Sequence, residues 1–391
     1  MAQRRRDMVA AVRSGASLHQ IALQFAVSPA TVLRWLRRAK GQRLDRVDWA
    51  DRPKKPHHTR RTDADLEALV LQVRQHLKQH SDLGFHGAEA IRDELARRGV
   101  QTLPAVRTLN RILQRHGAFD GQRRRRRPPP PLGWYLPDLA ARRVELDSFD
   151  IIEGLVLKGG PQVEVFNGVS VHGGLVASWP RGQTVTAAFV VGRLVEHWRQ
   201  FGLPSYAQFD NDTIFQGSHA HPDLIGRVSR LCLSLKVTPV FVPPREMGFQ
   251  AAIEGYNGSW QSRVWARFQH QGLPDLQERS DRHVAALRRH RAARIEAGPR
   301  RRPFPRDWEL DLQTLVRGRL VYLRRTNARG EVEVLGRSFE VERQWANRLV
   351  RIVVDLKAGR LRVYRLRRRE PSDQPLLREI RHRVPDRGLR E

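Results

Sequence analysis

Along the first 116 residues the apolar positions recur at three- and four-residue spacing, and beyond about residue 140 they alternate with polar ones. The first pattern belongs to helices with one buried face, the second to strands. Met8, Val9 and Val12 mark a first short helix, broken by Ser14-Gly15. Ser17 can cap a second helix carrying Leu18, Ile21, Ala22 and Phe25, and Ala26-Val27 makes a turn. Ser28 caps a third, with Pro29 at its first position, where the missing N–H costs nothing. Val32 and Leu36 then turn inward, leaving Thr31, Arg34, Arg37 and Arg38 to face a nucleic-acid groove and its phosphates. Residues 1–40 thus predict an all-α helix-turn-helix; a plain helical bundle with a solvated basic face is the blander alternative.

Residues 41–61 are polar and basic (Lys54-Lys55, His57-His58, Arg60-Arg61) and predict a linker in which the His pair is solvated. Helical spacing returns over 62–120, through Val70, Val73 and Leu77, then Ile91 and Leu95, then Leu109, Ile112 and Leu113. This second helical unit is either helix-turn-helix-like or a spacer. Within 121–139, Arg123 to Arg127 run directly into Pro128 to Pro131, a composition that predicts an extended tether.

The stretch 140–295 predicts strands at 143–152, 163–172 and 175–179, a helix over 184–201, a strand at 205–209, a helix at 224–233, a strand at 237–242 and a helix from about 250 to 269. That order is the one expected of a ribonuclease-H-like α/β core, an analogy that does not by itself fix a function. Five short alternating runs within 310–366 predict a small β-barrel with largely Arg on its outward positions, and the tail 367–391 is charged and expected to be loosely ordered.

Charge changes the picture. Lys and Arg number 71 against 41 Asp and Glu, a net charge of +30. Such self-repulsion opposes compaction unless a polyanion is bound, and nucleic acid is the polyanion that the groove-facing helix suits. A single cysteine, Cys232, excludes internal disulfides and any zinc site built on two cysteines. Arg4-Arg5-Arg6 leads into a mixed helix rather than an apolar core, so no signal peptide is expected, and no uninterrupted run of about 18 apolar residues marks a membrane span. These features predict a soluble, cytoplasmic, nucleoid-associated protein with two to four domains and no membrane partner.

Three acids stand out by position. Asp147 falls inside the first core strand, Asp210 ends the fourth, and Glu254 sits in the first turn of the helix after the last strand. If the first and fourth strands are neighbours and that helix crosses their ends, the three carboxylates converge. Such a cluster suits phosphodiester cleavage, in which two Mg²⁺ ions about 4 Å apart stabilise the attacking and leaving oxygens. Mg²⁺ prefers hard oxygen ligands, so two or three carboxylates suffice. Asp150 is the alternative to Asp147 on the same strand, facing the opposite side. Glu246 is the alternative to Glu254, in a Pro-Pro-Arg-Glu turn that offers no rigid platform.

From about 144 to 268 the chain resembles the catalytic core of DDE transposases and retroviral-type integrases, especially those of bacterial insertion sequences. That family's second motif, Asp-Asn-Gly followed by Phe, is matched by Asp210-Asn211-Asp212 and Phe215. Its third, Asn-Gly-x-x-Glu-x-x-Asn after prolines, is matched by Pro243-Pro244 and the run from Gln250-Ala251 through Glu254 to Asn257. Asp212 and Gln250-Ala251 depart from the pattern, and Phe166-Asn167-Gly168 stands where the second strand commonly ends in Asp. The family favours roughly 35 residues between its second and third acids; Glu246 meets that spacing, and Glu254 needs a loop insertion near 217–222. The resemblance implies a transposase that cleaves DNA and transfers strands, with Asp147, Asp210 and Glu254 as catalytic residues and ligands of two Mg²⁺ ions, Mn²⁺ substituting, and no organic cofactor. It implies double-stranded DNA as partner, at element ends and target, and a homo-oligomer holding two ends. A non-catalytic DNA-binding protein (a repressor or inactivated transposase) and a nuclease that cuts without joining are the competing expectations.

Overall fold

Aromatic residues recur at matching positions on successive strands, and in the structure they stack across them. The computed structural model describes residues 1–51, 62–119, 132–217, 221–246, 248–313, 317–368 and 372–385. Residues 52–61 of the expected basic linker (41–61), 121–131 of the expected Arg/Pro linker (121–139), 218–220 of the expected insertion, and 369–371 and 386–391 of the expected tail (367–391) lie outside them. The chain divides into two compact units, Met1–Glu67 and Ala68–Glu391.

In the first unit, α1 (Ala2–Arg13), α2 (Leu18–Gln24) and α3 (Pro29–Arg38) surround Val9, Ile21, Ala22 and Val32. Ser17 and Gln20 form a reciprocal capping box at the start of α2, and Ser28 caps α3. Trp35 joins this core, and Val47 and Trp49 fold back against it, so part of the stretch expected as linker closes the helical unit instead.

Most of α4 (Ala64–His80) belongs to the second unit, where it packs with α5 (Ala88–Arg97) and α6 (Val106–Arg115) around Val73, Ile91, Leu109 and Ile112. Trp134, Tyr135 and Leu136, with α7 (Pro137–Ala140), are buried beneath the sheet, so the ordered core reaches back into the segment assigned to the tether.

The sheet begins with an antiparallel meander, β1 (Leu146–Val156), β2 (Gln162–Ser170) and β3 (Val176–Arg181). After α8 (Ala187–Phe201), β4 (Tyr206–Phe209) pairs parallel with β1. The short α9 (Thr213–Gln216) and α10 (Arg227–Ser234) lead to β5 (Thr238–Phe241), parallel to β4, and then to α11 (Ala251–Trp260), which runs into a π-helical turn at Gln261–Trp265. Next come α12 (Leu273–His290) and α13 (Ala292–Glu296). One face of the sheet is covered by α8 and α10 through Val190, Leu194, Trp198 and Leu231, the other by α11 and α12 through Ile253, Tyr256, Trp260 and Leu287. This is a mixed α/β sheet between helical layers, in the element order expected of the core.

The barrel expected over 310–366 does not form as a separate body. β6 (Arg319–Arg325) pairs parallel with β5, and β9 (Leu349–Asp355), β10 (Arg360–Arg365) and β11 (Leu376–Arg381) continue outward. The result is one nine-stranded sheet, β11-β10-β9-β6-β5-β4-β1-β2-β3, with β7 (Glu331–Val334) and β8 (Arg337–Glu340) as a separate hairpin. The reason is the free edge of β5, whose unpaired N–H and C=O groups β6 satisfies. β11 also lies within the tail expected to be loosely ordered. Among the described residues no helix is long and apolar enough to cross a membrane.

Six neighbouring strands carry a row of stacked rings. Centroids stand 5.3 Å apart for Trp179 and Phe166, 5.5 Å for Phe166 and Phe149, and 5.6 Å for Phe149 and Phe209. The row continues at 6.3 Å from Phe209 to Phe241 and 5.1 Å from Phe241 to Tyr322. Gly168 makes room for it, since a Cβ there would stand 2.6 Å from the Phe149 ring. Phe209→Ala should cost about 3–5 kcal/mol in urea unfolding, and Phe209→Leu clearly less; equal losses would show that the stacked ring has no special part.

Candidate active site

Parallel pairing of β1 with β4 decides which aspartates meet. Ser148 pairs with Gln208, an offset of 60 (208 − 148), and the same offset carries Asp150 to Asp210. Asp147 lies three residues earlier, about 10 Å back along the strand, and on the opposite face. There its buried carboxylate accepts from Ser170 Oγ at 2.7 Å and Trp198 Nε1 at 3.1 Å. Arg301, from the segment after α13, donates to both its oxygens at 2.8 and 2.6 Å. Burial alone would raise the Asp147 pKa, but the guanidinium outweighs it and holds the group below the usual carboxylate range. The expected convergence of Asp147 with Asp210 and Glu254 is therefore corrected: the register brings Asp150 level with Asp210, and Asp147 is neutralised by a buried ion pair.

Asp150 sits in the opposite electrostatic setting. Burial pushes its carboxyl up to about 6, helped by the charge of Asp210 and, more weakly, of Glu254. Asn257, one turn after Glu254 on α11, donates to Asp150 Oδ2 at 2.7 Å and accepts from Asn167 on β2 at 2.9 Å. Tyr256 anchors the same helix through Ser178 Oγ at 2.7 Å. Asp210 is also raised, by burial and by the charges of Asp212 and Glu153, against an opposing hydrogen bond from the Asp212 N–H. Asn211 fastens the end of β4 to that of β5 by donating to the Val242 carbonyl at 2.6 Å. Glu254 is exposed in the first turn of α11, where the helix N-terminus favours an anion.

Asp210, Asp212, Glu246 and Glu254 line one recess of about 510 Å³. Two of these are already committed elsewhere. Glu246 is ion-paired with Arg325 of β6 at 2.5 Å, and Asp212 caps α9 by accepting from the Ile214 N–H at 2.8 Å. The cap also explains why Asp can stand where the motif usually has Gly. Asp210 and Glu254 remain in the recess, and Asp150 stands level with Asp210 on the neighbouring strand. Their donors are all carboxylate oxygens, the hard set that Mg²⁺ or Mn²⁺ favours, and the raised Asp150 marks a local shortage of positive charge. Their chemistry fits a divalent cation, yet among the described residues no three His, Cys, Asp or Glu side chains stand close enough to form a ready-made metal site.

Sequence patterns passed over the bridging roles of Asn167 and Asn257 and the charge of Glu153 on β1. Asn257 was visible as the last residue of the third motif, whereas Glu153 left no such signal. Of the residues expected to face DNA, Arg34 and Arg37 are exposed on α3. Thr31 Oγ1 is bonded to the Ser28 cap at 2.9 Å, and Arg38 is paired with Asp48 at 2.7 Å and donates to the Ala50 carbonyl.

No protein-family model matches the chain. Solved structures similar to it include the catalytic core domain of BIV integrase, 20% identical, TM-score 0.27, with 37% of this chain and 80% of that one covered. The simian T-cell lymphotropic virus intasome in complex with a PP2A regulatory subunit is 14% identical, TM-score 0.33, covering 81% and 98%. The HTLV-2 integrase catalytic core domain in complex with magnesium is 13% identical, TM-score 0.26, covering 37% and 83%.

Two substitutions separate the aspartates by stability. Asp147→Ala, which strands the Arg301 charge, should cost about 3–5 kcal/mol at neutral pH, read by urea unfolding; a neutral result would remove its structural role. Asp150 behaves oppositely, because its folded-state pKa lies above its unfolded one. Its contribution is fully present below the unfolded value of 3.8 and is lost as pH rises from there through about 6. Asp150→Asn should therefore stabilise the metal-free protein by on the order of 1 kcal/mol at pH 8 and by little at pH 4. A gain at pH 4 that disappears at pH 8 would reverse the sign and the argument.

Proposed function

We propose that the chain is a DNA-cleaving and DNA-joining enzyme of the insertion-sequence transposase type, acting through Asp150, Asp210 and Glu254. The observation that carries this reading is the level placement of Asp150 and Asp210, with the Glu254 helix close enough to raise Asp150. Asp147, the residue first expected in that role, is a positioning and stabilising group.

The three carboxylates would hold two divalent cations, Mg²⁺ or Mn²⁺, one for each of the two oxygens whose charge changes. When bound, the ions supply Lewis acidity and stabilise those oxygens. The chain's own groups do the rest. Asn257 orients Asp150 through the bond to Oδ2, Asn211 holds the end of β4 against β5, and α11 presents Glu254 from a rigid first turn. A water oxygen would attack phosphorus and break its bond to the 3′ oxygen, releasing a 3′-hydroxyl at the element end and leaving a 5′-phosphate on the flank; that hydroxyl would then attack a target phosphodiester, forming one P–O bond as the target's own 3′ oxygen departs as a hydroxyl. Arg34 and Arg37 on α3 are the open candidates for contact with the terminal repeat, with Thr31 and Arg38 supporting the helix start and end. A homo-oligomer follows, since two ends must be held together.

A non-catalytic DNA-binding protein is the second reading, favoured by the absence of a ready-made three-ligand site among the described residues. Cleavage of the DNA flanking the gene, in Mg²⁺ and in Mn²⁺, separates the two. Asp150→Asn, Asp210→Asn and Glu254→Gln should each lower nicking at least about 10²-fold, while Glu246→Gln and Asp147→Asn leave folded protein with measurable cutting. Tight binding by wild type with no cutting in either metal would favour the second reading.

A further inference from the structure

A basin of about 1160 Å³ lies at the other end of the sheet from the acids. Its position follows from strand direction. The end of β6 carries Arg325, which pairs with Glu246 beside the acid recess. The start of β6 pairs Arg319 with Asp355, at the end of β9, and Asp355 also faces Arg360, which faces Arg381 at the end of β11. The β9–β10 turn, the end of β11 and the segment leading into β6 therefore gather at one place. Seven residues of β6 separate it from the recess, about 20 Å at ~3.3 Å per residue.

Four cations converge on this basin from those three segments: Arg317 before β6, Lys357 in the turn, and Arg381 and Arg383 at and beyond the end of β11. All four side chains are exposed, and none has a carboxylate partner among the described residues. The one acid in the lining, Asp223, is buried, already ion-paired with Arg337 at 2.6 Å and hydrogen-bonded to His382 at 2.7 Å. Arg230, also in the lining, donates to the Ile225 and Leu312 carbonyls. Arg360 differs, being paired with Glu379. Like charges gathered this way repel one another, and a phosphodiester backbone, with one charge per ~1.7 Å of duplex, relieves that by releasing its counterions.

We propose that this basin is a second DNA-backbone site, set by the continuous sheet at a fixed distance of about 20 Å, or roughly six base pairs, from the bond at the acids. The proposal rests on the reading that the acids act on DNA. The phosphates come either from the same duplex beyond the cut or from a second duplex that receives the cut end.

The test compares wild type with a quadruple variant, Arg317→Gln, Lys357→Gln, Arg381→Gln and Arg383→Gln, and with the single charge reversal Arg383→Glu should the quadruple prove unstable. Binding of a labelled duplex of about 40 base pairs from the gene's flank is followed from low to high salt. The slope of log affinity against log salt should fall by about 3.6 in the quadruple variant and by about 1 in the single one. Nicking at the element end in Mg²⁺ at low salt should stay within about twofold, since neither acids nor their neighbours are touched. An unchanged slope with at least tenfold weaker joining into a supercoiled plasmid would place the phosphates on the second duplex. An unchanged slope together with unchanged joining would overturn the site. Wild-type binding without nicking would sink the enzyme reading while the slope still judged the basin, and a wild type that does not bind DNA would sink both.

Discussion

Six strands of the second unit's sheet are tied together by the stacked ring row that runs from Trp179 to Tyr322. Each ring is contributed by a different strand, and each is packed face to face or tilted against the next. A one-residue slip of any strand would drive its ring out of the row and to the opposite face of the sheet. Such pairs add about 0.5–1.5 kcal/mol each beyond the area they bury, so the row favours one register over its neighbours by several contacts at once. The functional consequence is direct. Asp150 follows Phe149 and Asp210 follows Phe209, so aligning the two rings aligns the two carboxylates just beyond them.

Two aspartates three residues apart on β1 show how burial can serve opposite ends. Asp147 faces α8, where Arg301 and two further donors satisfy it, and its charge is stabilised by what surrounds it. Asp150 faces α11, where its closest charges are negative, and ionising it is costly. The first arrangement holds the segment after α13 against the sheet. The second leaves negative charge uncompensated, at some expense to stability. Buried ion pairs and poised acids are often listed together as perturbed groups, yet the sign of the perturbation separates them.

The joining of β6 to β5 turns what could have been a tethered C-terminal domain into an extension of the same sheet. It covers the exposed edge of β5, and it brings Arg325 to Glu246, which removes that acid from competition with Glu254. It also fixes the cationic basin and the acid recess at the two ends of one strand. Groups that would otherwise move independently on a linker are thereby held at a constant separation, a geometry suited to a stiff polyanion.

The helices, the strands and their order could be read from the chain, because hydrophobic period is a local property that each segment carries by itself. So could the third motif, since Glu254 and Asn257 stand one turn apart on any helix. The charge of +30 was equally legible before any fold was known, since it is a sum over residues. Three things were settled only by tertiary structure. Asp150 rather than Asp147 meets Asp210, because a parallel register is a relation between strands some 60 residues apart and leaves no trace in either alone. Trp35, Val47, Trp49 and Trp134 turned out to be core, because apolar residues scattered through basic or Pro-rich surroundings have no period to betray them. The C-terminal strands extend the sheet instead of closing on themselves, because the choice between two sets of partners belongs to the free edge of β5 and not to the strands that cover it.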